Sequence, residues 1–509
     1  MTSWRTASVA IMGFSSGLPL GIVWIAIPDW MRSAGIDIRL VGLMTLAQAP
    51  WSFKVLWSPL LDRYAPPWLG RRRGWILLAQ VALFALSLGL AGVGHHPDAP
   101  WVVAALAFAI ALASATQDIA CDAYTVDVLK PEEQGVAVGA KIAFYLTAFR
   151  VIGGISIAAA GKWSWPAVNV GMALLYLPTM LVTWKAPEPP DVPLAPRTIR
   201  EAVWEPFLGF LSRHRALEIL AFVFFYKLAD NLAVSLIRPF LFDKGYSDFD
   251  RGMVLTVVGW VGIVLGTILG GAMTNLMGLG HSLWVFGLLQ IFSNLGYAML
   301  ARSETNQLLM IGAASFDNLT TGLGSGAFAV FLLRLTQRRF SATQYALFSS
   351  LFGLPRILAG PITGFLVDAI GWESFFWLTL AAGIPGMVLL HRFCPIGVRE
   401  PVFTIEPVAA KRPLPRYGLV ASGIAGGLLG FLFGVLVDAG LAGLKQMRGH
   451  PGAGFELAPS IMKLLAPADV NGWLELGGVA VFALFAGMST AAVLAARRGA
   501  VNGTRGSDH

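Results

Sequence analysis

Acidic side chains at helical spacing inside otherwise apolar sequence are the feature of this 509-residue chain that could do chemistry. The richest segment is TQDIACDAYTVD, Thr116 to Asp127, in which Asp118 and Asp122 are four residues apart and share one face of a helix. Two such carboxylates repel, which favours a proton on one of them and makes either a candidate proton carrier. The alternative is that both pair with basic residues on neighbouring helices and set packing. Gln117 beside them offers an amide to a ligand, and Asp127, close to the loop, reads as a solvated group or an interhelical gate. A second set is YKLADN, Tyr226 to Asn231, where Lys227 and Asp230 are three apart and can pair, with Tyr226 one turn from Asp230. A third is FDNLTTGLGSG, Phe316 to Gly326, which carries Asp317 and Asn318 among glycines suited to close helix packing. Asp230 and Asp317 complete the proton-coupling candidates. Arg150, near Tyr145, and Arg356 are fixed cations able to hold a carboxylate bidentately, with a salt bridge to Asp118, Asp122 or Asp317 as the alternative. Gln48, Lys54 and Lys141 are weaker binding candidates, because one turn nearer the surface either lysine could snorkel.

The elements that must position these groups are membrane helices. Hydrophobic residues make up 56% of the chain and charged residues 13%, with a mean hydropathy of +0.67, values that exclude ordinary soluble domains. Roughly fourteen stretches are long and apolar enough to span a bilayer. Lipid supplies no hydrogen-bond partners, so spans this long and continuous are helical and the fold class is all-α. A charge inside a span costs at least ~2.5 kcal/mol, so each needs a partner, a wet cavity or a function. No removable signal peptide is expected at the N-terminus.

Arginine clusters at 71–73, at 334, 338 and 339, and at 497–498 fall on one side of this topology, which places both termini in the cytoplasm. The net charge of +8 is explained by that asymmetry, and no nucleic-acid partner is expected. The expected plan is an N-terminal six-helix half (1–186), a linker with an amphipathic segment (187–215) and a C-terminal six-helix half (216–395). A connector (396–416), two additional spans (417–497) and a short tail (498–509) follow. An internal repeat supports it: Asp118 through Arg150 to Trp163 is echoed by Asp317 through Arg356 to Trp372, which sets Asp317 and Asn318 opposite the acids of span four. Parallel repeats of six spans place a solute site between the halves at the midplane, the arrangement of a transporter. Histidines are scattered, the two cysteines form no metal set, and no nucleophile elbow or phosphate loop occurs, so neither enzyme nor cofactor is expected.

The loop SPLLDRYAPPWLGRRRGW, Ser58 to Trp75, resembles the signature of the major facilitator superfamily, which implies gating contacts by Asp62 and Arg63 and, more weakly, by Arg72. Five blocks in order resemble the AmpG family of muropeptide permeases: GFSSGLPL (Gly13 to Leu20); FKVLWSPLLDR with GRRRGW (Phe53 to Trp75); TQDIACDAY (Thr116 to Tyr124); YKLAD (Tyr226 to Asp230); and FSATQYAL (Phe340 to Leu347) followed by Arg356. The resemblance implies a major facilitator fold with two extra C-terminal helices. It further implies import of N-acetylglucosaminyl-anhydro-N-acetylmuramyl peptides across a bacterial inner membrane, driven by the proton gradient, by a monomer in the lipid bilayer. In some Gram-negative bacteria such fragments also control β-lactamase induction. On this basis Asp118 is the expected essential proton carrier. The chain departs from the family where a Tyr-Arg pair is usual: here Leu146 follows Tyr145, and the arginine comes one turn later as Arg150, about 6 Å along the axis.

Overall fold

The computed structural model describes residues 3–33, 47, 49–66, 69–93, 100–188, 196, 198, 201–203, 205–206, 210, 216–401, 415–449, 457–467 and 470–498. These residues are helical with short connections, and they fall into two compact units, Met1–Val203 with Glu218–Val402, and Trp204–Leu217 with Phe403–His509. The predicted linker and connector lie largely outside the described residues.

In the first unit the helices are α1 (Trp4–Met31), a broken α2 over 49–63, α3 (Arg71–Val93), α4 (Pro100–Val128), α5 (Pro131–Ala160) and α6 (Trp165–Lys185). They are followed by α7 (Ala216–Asp243), α8 (Asp250–Met277), α9 (Leu279–Arg302) and α10 (Gln307–Leu335). The long run Ser341–Phe393 is two helices, α11 and α12, because Gly371 sits at φ 77°, a left-handed conformation that only glycine takes without strain and that turns the chain back. Each half buries its own apolar core. In α1–α6 it is built around Leu18, Leu83, Val103, Ile110 and Tyr176, and in α7–α12 around Phe240, Tyr297, Met310, Phe375 and Phe376. The outward faces remain apolar, as Leu78, Leu181, Leu265 and Leu308 show, which is the pattern lipid selects.

Ten of the described helices are long and apolar enough to cross a membrane, or eleven if the bent pair Gln307–Leu335 with Arg338–Gly353 counts as one. This multi-pass membrane protein therefore does not reach the predicted fourteen spans by that measure. Span two begins outside the described residues, and the rest of it is broken into Ala49–Phe53, Lys54–Leu56 and Ser58–Arg63. The apolar part of the last span shortens to Leu476–Met488.

Helices α5 and α8 cross from one half to the other at backbone contact: a Cβ on Gly271 would lie 2.1 Å from the carbonyl oxygen of Gly135, and one on Gly139 2.8 Å from that of Thr267. Nearby, Asn275 accepts from the Gly135 N–H at 3.0 Å and donates to the Glu132 carbonyl at 2.7 Å.

The second unit is a helical hairpin of α13 (Arg416–Gly449) and α15 (Val470–Arg498) with the short α14 (Leu457–Leu465) between them. Small residues let its long helices touch: a Cβ on Gly426 would meet Thr490 Oγ1 at 2.2 Å.

Candidate functional site

Three charge assemblies occupy the first unit, and two are built on helices broken at a buried lysine. In α2 the α-helix gives way to a 3-10 turn at Lys54, and Pro59 starts the next segment because it needs no hydrogen-bonded N–H there. Lys54 Nζ thereby reaches Asp118 Oδ2 at 2.5 Å and lies 3.7 Å from Asp122 Oδ2. From α5, Lys141 Nζ donates to Asp122 Oδ1 at 2.5 Å and to Thr125 Oγ1 at 3.1 Å. Two ammonium groups and two carboxylates thus form a neutral set joining α2, α4 and α5. Neither lysine snorkels, since Lys54 is 6% and Lys141 9% exposed; the sequence expectation for both is corrected, because each ammonium is turned inward onto a carboxylate of α4 at 2.5 Å. Gln117, one residue before Asp118, turns the other way and donates to Ser15 Oγ at 2.8 Å, where Gln80 also donates at 3.0 Å.

The second assembly lies at the middle of α7. The helix stops at Phe225 and restarts at Leu228, with Lys227 at the restart. Lys227 Nζ is 3.4 Å from Asp230 Oδ2, while Thr321 on α10 donates to Asp230 Oδ1 at 2.8 Å. One turn from Thr321 on the same helix, Asp317 accepts from Ser293 Oγ at 3.0 Å and from Tyr297 at 3.1 Å, both on α9. The repeat does not set Asp317 opposite the acids of α4. Both helices have 29 residues, yet Asp118 is 18 residues beyond Pro100 and Asp317 only 10 beyond Gln307. The eight-residue offset is about 12 Å along the axis.

The third assembly closes one end of the bundle, the end rich in arginine. Asp62, at the end of α2 and fully buried, accepts from the backbone N–H groups of Ala342 (3.2 Å) and Thr343 (2.8 Å) and from Thr343 Oγ1 (2.6 Å). Those N–H groups are among the orphan donors at the start of α11, so Asp62 caps, in trans, a helix of the opposite half. Arg72 binds four groups: Asp62 at 2.7 Å, Asp127 at 2.8 Å, Ser341 Oγ at 2.6 Å and the Leu61 carbonyl at 3.1 Å. Asp127 is 4% exposed, a buried member of this cluster and not a solvated group. Arg63 stays outside it, its guanidinium 5.4 Å from the centre of the Tyr64 ring. Arg334 at the end of α10 donates to Gln134 of α5 at 3.1 Å, adding a further tie between halves.

Other residues singled out from the sequence have local duties. Tyr226 is built into an aromatic core, stacked on Phe328 at 5.2 Å with its hydroxyl donating to the Leu283 carbonyl. Asn231 and Asn318 donate to carbonyls of their own helices, those of Lys227 and Ala314. Tyr145 and Arg150 are half-buried on α5, Arg150 within a π-helical turn, Ala148–Ile152. Gln48 and the side chain of Arg356 lie outside the described residues. One group escaped sequence reasoning: Trp24 packs edge-on against Trp51 (6.3 Å) and Phe149 (6.1 Å), and the two indole N–H groups are buried with no partner among the described residues. A π turn in α1, Gly21–Ala26, lies against Gly153 of α5 beside these rings, and no spacing in the sequence signals their meeting.

Comparison with known proteins gives this architecture a lineage. The family description "Major Facilitator Superfamily" matches residues 9–360. The anhydromuropeptide permease of Escherichia coli (strain K12) is 38% identical over 388 residues, covering 76% of this chain and 79% of that one. An uncharacterized protein of Haemophilus influenzae is 35% identical over 401 residues, covering 76% and 94%, and putative transporter AmpG 4 of Rickettsia conorii is 26% identical over 398 residues, covering 76% and 96%. Among solved structures, the proton:xylose symporter XylE superposes with a TM-score of 0.60 at 11% identity, covering 77% of this chain and 95% of that one. A bacterial homologue of ferroportin in an outward-facing state superposes at 0.55 with 14% identity, covering 77% and 99%. At such identities the structures speak for the fold, and the sequence relatives for the lineage. The chain belongs to the major facilitator superfamily and, within it, to the AmpG family of permeases.

Proposed function

We propose that this protein is an inner-membrane permease that imports anhydro-muropeptides by proton-coupled alternating access, acting as a monomer with both termini in the cytoplasm. The observation that carries this reading is the 38% identity with the E. coli permease, which extends over 388 residues. The geometry supports it. The Lys227, Asp230, Thr321 set lies near the middle of α7 and α10, the depth at which solutes bind between two six-helix halves. Trp24, Trp51 and Phe149 offer faces and free N–H donors suited to an amino sugar, and Arg150 adjoins Phe149 as a cation for a peptide carboxylate. The positive-inside rule puts the arginine-rich end in the cytoplasm, so the Asp62, Arg72, Asp127 cluster is a cytoplasmic gate in its closed position.

Sealed vesicles with an imposed proton gradient test the reading. Labelled GlcNAc-anhydro-MurNAc-tripeptide is expected to accumulate above its external concentration and to stop accumulating when a protonophore is added; no accumulation across an intact gradient overturns it. Closure of α5 on α8 is part of the same cycle. Gly271→Val puts side-chain atoms where the Gly135 carbonyl stands, and overpacking of about 1–3 kcal/mol lowers uptake about tenfold. Initial uptake rates, normalised to the protein present in the membrane, check this; unchanged rates would remove the α5–α8 contact from the cycle.

A further inference from the structure

We propose that Asp317 carries the coupled proton, holding it as a neutral acid between Ser293 and Tyr297 in a polar seam between α9 and α10; the inference rests on the proton-coupled reading above.

Charge balance points to this residue. In the first half both carboxylates of the set on α4 have an ammonium at 2.5 Å, and two positive charges answer two negative ones. In the second half Lys227 answers Asp230, and Asp317 is left over. Asp317 is 2% exposed, and its hydrogen bonds come from two neutral hydroxyls. The charged or titratable groups near it among the described residues are Asp230 and Lys227 on α7 and Tyr297 on α9. Helix α8 meets α10 through Gly262, Gly266 and Gly270 and adds no charge there. A buried carboxylate with no ammonium or guanidinium bonded to it resolves its charge by taking a proton.

The hydrogen inventory agrees. Ser293 Oγ has one hydrogen and two acceptors within reach, Asp317 Oδ1 at 3.0 Å and the Gln290 carbonyl at 2.8 Å. With a proton on Asp317 Oδ1, the acid donates to Ser293 Oγ, Ser293 donates to the Gln290 carbonyl and Tyr297 donates to Asp317 Oδ2. Every hydrogen then has an acceptor and no net charge remains. When the proton leaves, the Ser293 hydroxyl turns to the carboxylate.

Gln290, Ser293, Asn294 and Tyr297 fall at i, i+3, i+4 and i+7, one face of α9. The side-chain amides of Gln290 and Asn294 are 3% and 0% exposed, and none of their four polar atoms has a protein partner among the described residues. Buried amides in that condition are of the kind that bind water, and in this proposal such water carries the proton to and from the Asp317 oxygen. The link to the solute site is Thr321, one turn along α10, which holds Asp230, itself 3.4 Å from Lys227.

The experiment compares wild type, Asp317→Asn and Asp317→Glu in proteoliposomes, reading accumulation of labelled GlcNAc-anhydro-MurNAc-tripeptide under a proton gradient and its exchange at equilibrium without one. Asparagine is a permanent mimic of the neutral acid. Asp317→Asn is expected to lose accumulation above equilibrium while exchanging solute at a rate within about threefold of wild type, and Asp317→Glu to keep part of the accumulation. Full accumulation by Asp317→Asn overturns the proposal. Loss of exchange together with accumulation also overturns it, since the charge would then be needed for movement itself. Failure of the proposed substrate or coupling shows separately, in the wild-type arm, as absent or gradient-independent accumulation.

Discussion

Arg72→Ala is expected to reduce uptake to near background while the protein remains in the membrane. The guanidinium is the hub of the arginine-rich end proposed above as the cytoplasmic gate: it binds Asp62, Asp127, Ser341 and the Leu61 carbonyl, and is 3% exposed. Truncation leaves Asp62 and Asp127 buried without that cation, and breaking one side of a buried pair costs about 3–5 kcal/mol. At 1.4 kcal/mol per factor of ten, the closed-inside state then falls about a hundredfold or more in population. A carrier that cannot close on the inside has no state from which to take solute from the outside. Arg72→Lys is expected to rescue little, because one ammonium cannot reproduce a planar fork that spans two carboxylates, a hydroxyl and a carbonyl. Arg63→Ala is the contrasting variant. Its guanidinium rests on Tyr64 outside the cluster, and uptake within about twofold of wild type is expected. Initial rates of vesicle uptake for the three variants, with membrane protein quantified, decide the matter; wild-type rates for Arg72→Ala would show that the cluster is not a gate.

The second large effect concerns Lys54 and Asp118. Either single change, Lys54→Met or Asp118→Asn, unbalances the set of two lysines and two aspartates, at a cost of up to about 3–5 kcal/mol, since the Asp118 side chain stays 20% exposed. Both are expected to lower the amount of folded protein and to bring uptake down at least tenfold, on the order expected for an uncompensated buried charge. The double variant restores neutrality, leaving Lys141 with Asp122 at 2.5 Å, and is expected to recover folded protein and most of the uptake. Melting temperature in detergent and vesicle uptake, measured over the full double-mutant cycle, give the coupling between the two residues. Recovery of folded protein without recovery of uptake would return Asp118 to the role of essential proton carrier, which sequence alone favoured and from which the 2.5 Å ion pair now argues it away.

The acids were legible in the sequence because a charge in an apolar run is costly and therefore conspicuous; their roles were not. Asp118 and Asp122 share a face of α4 as the four-residue spacing requires, but what answers them comes from Lys54, 64 residues away, and from Lys141 on the next helix. A lysine four carbons long can reach inward or outward, and spacing cannot choose between the two. In the sequence Arg72 is a weaker gate candidate than Arg63 for a similar reason: three consecutive arginines look alike in a chain, and only the packing of α2, α4 and α11 around one of them distinguishes it. Tyr226, which spacing set one turn from Asp230, is instead held in an aromatic core by Phe328, a residue about a hundred positions later.

By itself the sequence determined the solvent, the secondary structure and the lineage. Apolar runs of span length admit only helices in lipid, and motif blocks distributed over both halves survive without any knowledge of contacts. Tertiary structure alone decided which charges cancel and which remain. That decision depends on distances between helices far apart in the chain, and on breaks, such as those at Lys54 and Lys227, that turn a side chain by a fraction of a helical turn. Electrostatic energy inside a membrane changes steeply over a few ångströms. The same acidic residues therefore become a neutral brace at Asp118 and Asp122, a cap for an opposing helix at Asp62, and, at Asp317, a carboxylate that pairs with no cation among the described residues.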